Sequence, residues 1–164
     1  MKKLVQVMMV TVMMVLCMTG CGKEQDEFVD YVNGAAKKEV KELESKAKDS
    51  YASVTGDNYK DDETMLEELR TNTANLAKQT VDKAVALGKT LEGEQLKKVH
   101  GMCVDSLKDF QSGVDQLIQA MESGDTDQLT QVNDLLDKAN EKGTQYQKEL
   151  EKLAEELGVE LEIK

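Results

Sequence analysis

The chain of 164 residues carries 21 Lys and Arg against 32 Asp and Glu, a formal charge of −11, and it has no Trp, no Pro, two Phe and four Tyr. Two lysines and no acid fall in residues 1–20, which leaves 19 basic and 32 acidic groups, a net of −13, in residues 21–164. No basic stripe can form on such a surface, which argues against nucleic acid as a partner. The lack of Pro and the abundance of Lys, Glu, Leu, Ala and Gln favour long helices in one small domain over a sheet.

The first segment reads as an export signal. Met1-Lys2-Lys3 is a short positive start, and Leu4 to Gly22 then runs for nineteen residues without a charge, rich in Val and Met. Six of the nine methionines lie here, so residues 21–164 keep only Met65, Met102 and Met121 and have no Met-rich groove. Nineteen uncharged residues are borderline for crossing ~30 Å of hydrocarbon, so length alone does not separate a cleaved signal from an uncleaved anchor.

The residues Met18-Thr19-Gly20-Cys21 do separate them. They resemble the lipobox of bacterial lipoproteins, in which small residues precede a cysteine that becomes the new N-terminus. The usual Leu three residues before the cysteine is Met18 in this chain. The resemblance implies cleavage after Gly20 and a diacylglyceryl group on the Cys21 thiol. Each buried CH₂ of an acyl chain contributes about 0.8 kcal/mol, and stable anchoring takes more than one chain. The expected organisation is a signal peptide over 1–20, a lipidated N-terminus and charged tether over 21–27, and a helical domain over 28–164 with a short C-terminal tail. An acidic domain on such a tether is repelled by an anionic bilayer. Cys17 leaves with the signal and Cys21 is consumed by lipid, so Cys103 is left alone with no intramolecular disulfide available.

Apolar residues then recur every three or four positions between recognisable turns. Phe28, Val32, Ala36, Val40, Leu43, Ala47, Tyr51 and Val54 draw the stripe of a helix over about residues 25–54, ended by Thr55-Gly56-Asp57-Asn58. Asn33 and Gly34 weaken it by about 1 kcal/mol and predict a bend. The second stripe is Met65, Leu66, Leu69, Thr73, Leu76, Thr80, Ala84 and Leu87, after the acidic start Asp61-Asp62-Glu63 that suits a helix N-terminus. The third is Leu96, His100, Cys103, Leu107, Phe110, Val114, Leu117, Ile118 and Met121, ending at Ser123-Gly124.

The fourth stripe follows a box-like cap of Asp125 with Gln128 and comprises Leu129, Val132, Leu136, Ala139, Gly143, Tyr146, Leu150, Leu153 and Leu157, with Gly158 as its end. The tail should fold back and bury Val159, Leu161 and Ile163. Four helices joined by short turns predict an all-α fold, an antiparallel up-down-up-down four-helix bundle. Its Ala, Thr and Gly positions predict close helix approach, modest hydrophobic stabilisation and a need for a partner or a second copy.

Chemistry-bearing residues are few. His100, the only histidine, stands three residues before Cys103, which places two soft ligands on one helix face and raises a metal or haem site. The preferred alternative is a polar layer in the bundle or a partly exposed histidine. Zinc wants four ligands, the paired Glu-x-x-His of di-iron bundles is broken by Lys97, and the Cys-x-x-Cys-His haem attachment is missing. Thr73 and Thr80 interrupt an apolar seam; they either line a cavity or back-bond to helix carbonyls, the second being the simpler role. The acidic loop Asp57, Asn58, Asp61, Asp62 and Glu63 has Tyr59 where an EF-hand needs a ligand, and reads as a solvated cap.

No phosphate loop, nucleophile elbow or nucleophile-base spacing appears, so no enzyme and no resident cofactor are expected. The pattern over Leu96–Asn140, with Val99-His100 early and Glu122-Ser123-Gly124-Asp125 before the last helix, is similar to small helical lipoproteins of Firmicutes. That resemblance implies display on the outer face of the cytoplasmic membrane and supplies no active residues. The functional expectation is a lipid-anchored binding, scaffold or accessory module at the cell envelope, held to the membrane through Cys21, with an envelope protein or itself as partner. The alternative is a ligand, metal or haem carrier using His100, Cys103, Thr73 and Thr80.

Overall fold

A computed structural model describes residues 22–125 and 127–161. Four long helical rods account for most of them, with no strand among the described residues. Residues 22–33 form α1 and Ala35–Ala52 form α2, with Gly34 between them in extended backbone, so the bend expected at Asn33-Gly34 is a full break in the helix. The second rod is α3, Asp62–Glu68, then a five-residue π-helical turn, Leu69–Thr73, then α4, Ala74–Gly88. Glu94–Ser123 form α5 and Gln128–Leu157 form α6.

The ends of these helices follow local chemistry. Asp61 accepts a hydrogen bond from the Thr64 backbone N–H at 2.7 Å and caps α3, with Asp62 and Glu63 in the first turn. Gly124 and Gly158 close α5 and α6 in the left-handed conformation, with φ of 68° and 67°. Asp125 receives the Gln128 side chain at 2.8 Å, so the expected pairing forms, just outside the first turn of α6.

The α5 N-terminus has no cap from its own sequence. The Glu27 carboxylate of α1 accepts the backbone N–H groups of Glu92 and Gly93 instead, placing a negative charge at the positive end of the helix. Residues 23–27, expected as a tether, are therefore helical, and Glu27 is part of the folded domain.

Two apolar clusters fill the interior. One contains Phe28, Tyr31, Val40, Ala84, Val99 and Leu107 with Leu153 and Ala154; the other contains Val54, Leu69, Val114, Leu117 and Val132. The expected stripes describe them well, with three corrections. Ala36 is exposed because the break at Gly34 rotates the register that Phe28 and Val32 had set. In the second rod the expected stripe holds at Thr73 in the π turn and beyond it at Thr80 and Ala84, with Ala77 and Val81 buried beside them and Leu76 only half-buried. Leu129, in the first turn of α6, is 39% exposed. Val159 and Leu161 fold back onto the first cluster as expected; Ile163 lies outside the described residues, as do Met18, Thr19, Gly20 and Cys21.

Small residues set the approach of α5 and α6. A Cβ on Gly113 would stand 2.8 Å from Leu136 Cδ2, and Ser106 Oγ donates to the Ala139 carbonyl at 2.7 Å across the same seam. Gly101, on the same helix, has nothing within 4 Å of the position its Cβ would take. Gly113→Ala is expected to destabilise the fold by about 1–3 kcal/mol through overpacking, and Gly101→Ala to stabilise it by about 0.5–1 kcal/mol through helix propensity. Paired urea melts of the two variants test both signs.

Candidate functional site

The interior of the first cluster holds one continuous line of polar side chains that draws on all four rods. Tyr31 comes from α1, Lys37 from α2, the Ala84 carbonyl from α4, His100 and Cys103 from α5, and Tyr146 from α6. Lys37 Nζ lies 2.6 Å from Tyr146 Oη, Tyr146 Oη 3.0 Å from Tyr31 Oη, Tyr31 Oη 3.0 Å from His100 Nδ1, and His100 Nε2 2.8 Å from the Ala84 oxygen.

The ends of this line fix the direction of every proton in it. A lysine ammonium only donates, and a backbone carbonyl only accepts. Lys37 must therefore donate to Tyr146, Tyr146 to Tyr31, and Tyr31 to His100 Nδ1, which leaves His100 Nε2–H to donate to Ala84. Each phenol has one hydrogen and uses it once. The imidazole is neutral and in its Nε2–H tautomer, since Nδ1 has to accept. Among the described residues no buried side-chain nitrogen or oxygen is left without a partner.

Two glycines make the arrangement possible. In an unbroken helix, Tyr31 and Lys37, six residues apart, would point about 120° away from each other. The break at Gly34 brings both to the same interior. A Cβ there would collide with the Asp30 carbonyl oxygen, so glycine is the residue that fits. On the other side, a Cβ at Gly88 would stand 2.8 Å from His100 Cδ2 and 3.1 Å from Nε2, so the imidazole lies against bare α4 backbone and reaches the Ala84 carbonyl.

Packing and charge reinforce the line. The Tyr31 and His100 rings meet edge to face, with centroids 5.6 Å apart at 84°, and the Lys37 ammonium sits 5.3 Å from the Tyr31 ring centroid and 4.7 Å from that of Tyr146. Cys103 Sγ is 4.0 Å from Lys37 Nζ. Burial pushes the Tyr31 and Tyr146 phenols and the Cys103 thiol up, the Lys37 ammonium opposing the rise at Tyr31 and Cys103. Burial pushes His100 below its ordinary value; the bond to Ala84 works against that and the Lys37 charge adds to it.

Of the residues the sequence marks, His100 and Cys103 belong to this site and Thr73 and Thr80 do not. Thr80 back-bonds to the Leu76 carbonyl at 2.7 Å, the simpler of its two expected roles. Thr73, in the π turn, shares a 2.7 Å hydrogen bond with Ser50, which in turn donates to the Glu68 carboxylate. Both ring nitrogens of His100 are engaged within the protein, and among the described residues no three His, Cys, Asp or Glu gather as metal ligands.

Tyr31, Lys37 and the Ala84 carbonyl escape sequence reasoning because their meeting depends on the Gly34 break and the α4–α5 approach. The one local sign was a tyrosine, Tyr146, inside the apolar stripe of α6. Outside the core, an open depression of about 600 Å³ lies beside Lys23, Glu27, Tyr31, Leu87, Leu91 and Glu92, and a smaller groove of about 430 Å³ follows α5 and α6 near Met102 and Lys152. No family model matches the chain, and no curated protein or solved structure is significantly similar to it.

Removing the Tyr31 hydroxyl orphans two buried partners, His100 Nδ1 and the Tyr146 O–H. Removing the Tyr146 hydroxyl costs Tyr31 a donor to its oxygen and takes an acceptor from Lys37, whose half-buried ammonium can turn to water instead. Tyr31→Phe is therefore expected to lower stability by about 1–3 kcal/mol and Tyr146→Phe by less. The double variant should lose less than the sum, because the second change removes a group the first had orphaned. Chemical denaturation of the four proteins closes this cycle.

Proposed function

We propose that this protein is a lipid-anchored lipoprotein whose helical domain, on the extracytoplasmic face of the bacterial membrane, acts as a binding, scaffold or accessory module without catalytic activity. The observation that carries this reading is Met18-Thr19-Gly20-Cys21 at the end of a charge-free run, directly before a helical domain in which residues 22–33 are already helix. Among the described residues no helix is long and apolar enough to cross a membrane.

The same proposal includes an up-down-up-down order of the four rods. Supporting it, Ser106 meets Ala139 and Gly143 while Gly113 meets Leu136, so partners on α6 fall in number as those on α5 rise. In this arrangement the end of α1 next to Cys21, with the open depression beside Lys23 and Glu27, faces the bilayer. The net charge of −13 in residues 21–164 keeps the rest of the domain away from anionic headgroups and available to an envelope partner or a second copy.

A metal or haem carrier built on His100 would have to break the bond to Ala84 or to Tyr31 before the imidazole has a lone pair to offer, which places it second.

Cys21→Ala is expected to release the protein from the membrane fraction, and labelled palmitate should enter the wild-type chain but not the variant. A wild-type chain that never takes up the label overturns the anchor and the role built on it.

A further inference from the structure

We propose that the seam between α2 and α6 is an acid-operated opening of this domain, held shut near neutrality by the fixed proton order that runs from Lys37 to Ala84. The helices pack in the sequence α2 on α4, α4 on α5 and α5 on α6, with no comparable backbone contact between α2 and α6. Long side chains close that side: Lys37 reaches Tyr146 at 2.6 Å and covers both tyrosine rings. The seam is therefore held by hydrogen bonds and a half-buried cation where the other seams are held by backbone approach.

Protonating His100 inverts the logic of the line. Nδ1, which accepts from Tyr31 at 3.0 Å, acquires a hydrogen and must donate. Tyr31 then accepts from the imidazolium and turns its hydrogen toward Tyr146; Tyr146 accepts that bond and its own hydrogen is left facing the Lys37 ammonium, which has only donors. One buried O–H is orphaned against a cation, and a second positive charge appears two phenols away from the first. The conflict is relieved most easily at Lys37, because its half-buried ammonium can exchange Tyr146 for water whereas the Ala84 carbonyl is enclosed.

The groups around the imidazole all bear on this. Tyr31 faces it from α1, Lys37 from α2, the Ala84 carbonyl and Gly88 from α4, Cys103 lies one turn away on α5, and Tyr146 closes the far side from α6. Glu44 and Lys48 of α2 bear on Cys103, and Glu44 also on Tyr146, but they are paired to each other at 2.7 Å. None of these neighbours offers an acceptor to a protonated Nδ1 without reversing the line.

The pH window follows from the sign. Burial lowers the folded-state pKa of His100 beneath its ordinary value of about 6.5. Between those two values the open or unfolded chain binds a proton that the closed form does not, so closure is fully favoured above about 6.5 and weakens as pH falls through the window. Ordinary Asp and Glu titrate lower, near 4, which separates the two events.

Hydrogen exchange of the full-length protein in detergent micelles, corrected for intrinsic rates, tests the proposal. Residues 35–47 of α2 and 139–150 of α6 are expected to lose protection between pH 7 and 5.5, by at most about tenfold, and to recover it on return, while residues 105–117 of α5 hold theirs. His100 is the only histidine, so its single imidazole resonance should titrate below about 6.5, at the lower edge of the range over which protection falls. His100→Gln supplies a fixed donor and acceptor that do not titrate and should abolish the step. Lys37→Met removes both the opposing donor and a charge that helps lower His100, so it should raise the closed-state titration of His100 toward its ordinary value and shrink the loss of protection, and it decides the matter if the Gln variant does not fold. Flat wild-type protection through the window, a step that survives His100→Gln, or one undiminished by Lys37→Met overturns the proposal.

Discussion

The interior of this domain is organised by a pair of groups that cannot change roles. Lys37 can only give hydrogen bonds and the Ala84 carbonyl can only receive them, so the two phenols and one imidazole between them have a single way to arrange their hydrogens. That requirement ties together side chains from α1, α2, α4, α5 and α6. Leaving a buried member of the line without its partner costs about 1–3 kcal/mol. An all-apolar layer of equal volume would hold the helices together as well or better, but would accept several arrangements. The polar line makes one of them the satisfied one.

The rest of the packing serves that geometry. Gly34 interrupts the first rod so that Tyr31 and Lys37 face the same way, and Gly88 thins α4 so that His100 can lie against its backbone. On the α5–α6 side Gly113, Gly143 and Ala139 let the helices approach closely enough for Ser106 to reach a backbone carbonyl. Ion pairs between rods, such as Lys83 with Glu39 and Lys142 with Asp109, sit at the surface and add at most about 1 kcal/mol each. The Glu27 carboxylate is different in kind: it joins α1 to the start of α5 by capping backbone N–H groups that have no other partner in the helix.

Function and architecture meet at the N-terminal end. The proposed acyl anchor at Cys21 adjoins a helix that is already part of the folded domain, so an anchored protein would transmit its orientation from the bilayer into α1, and from α1 through Glu27 and Tyr31 into α5. A domain held this way is positioned rather than merely tethered. Its surface carries strong negative charge, and its interior keeps the single histidine neutral and bonded on both sides.

The stripes of α5 and α6, the ends at Gly124 and Gly158, the cap at Asp61 and the all-helical class were legible in the residues alone, because periodicity and capping are local properties of the chain. His100 and Cys103 could be placed on one face of one helix for the same reason. Their surroundings could not. That Tyr31 and Lys37 face the same interior depends on backbone at Gly34 that is extended rather than merely bent, and the π turn at Leu69–Thr73 interrupts a helix that periodicity alone draws as continuous. Tyr146 meets Tyr31 across 115 positions of sequence. Hydrogen-bond direction along such a line is a property of the assembled set, since each donor is defined only by what its neighbour has left to offer, and that is decided when the helices pack.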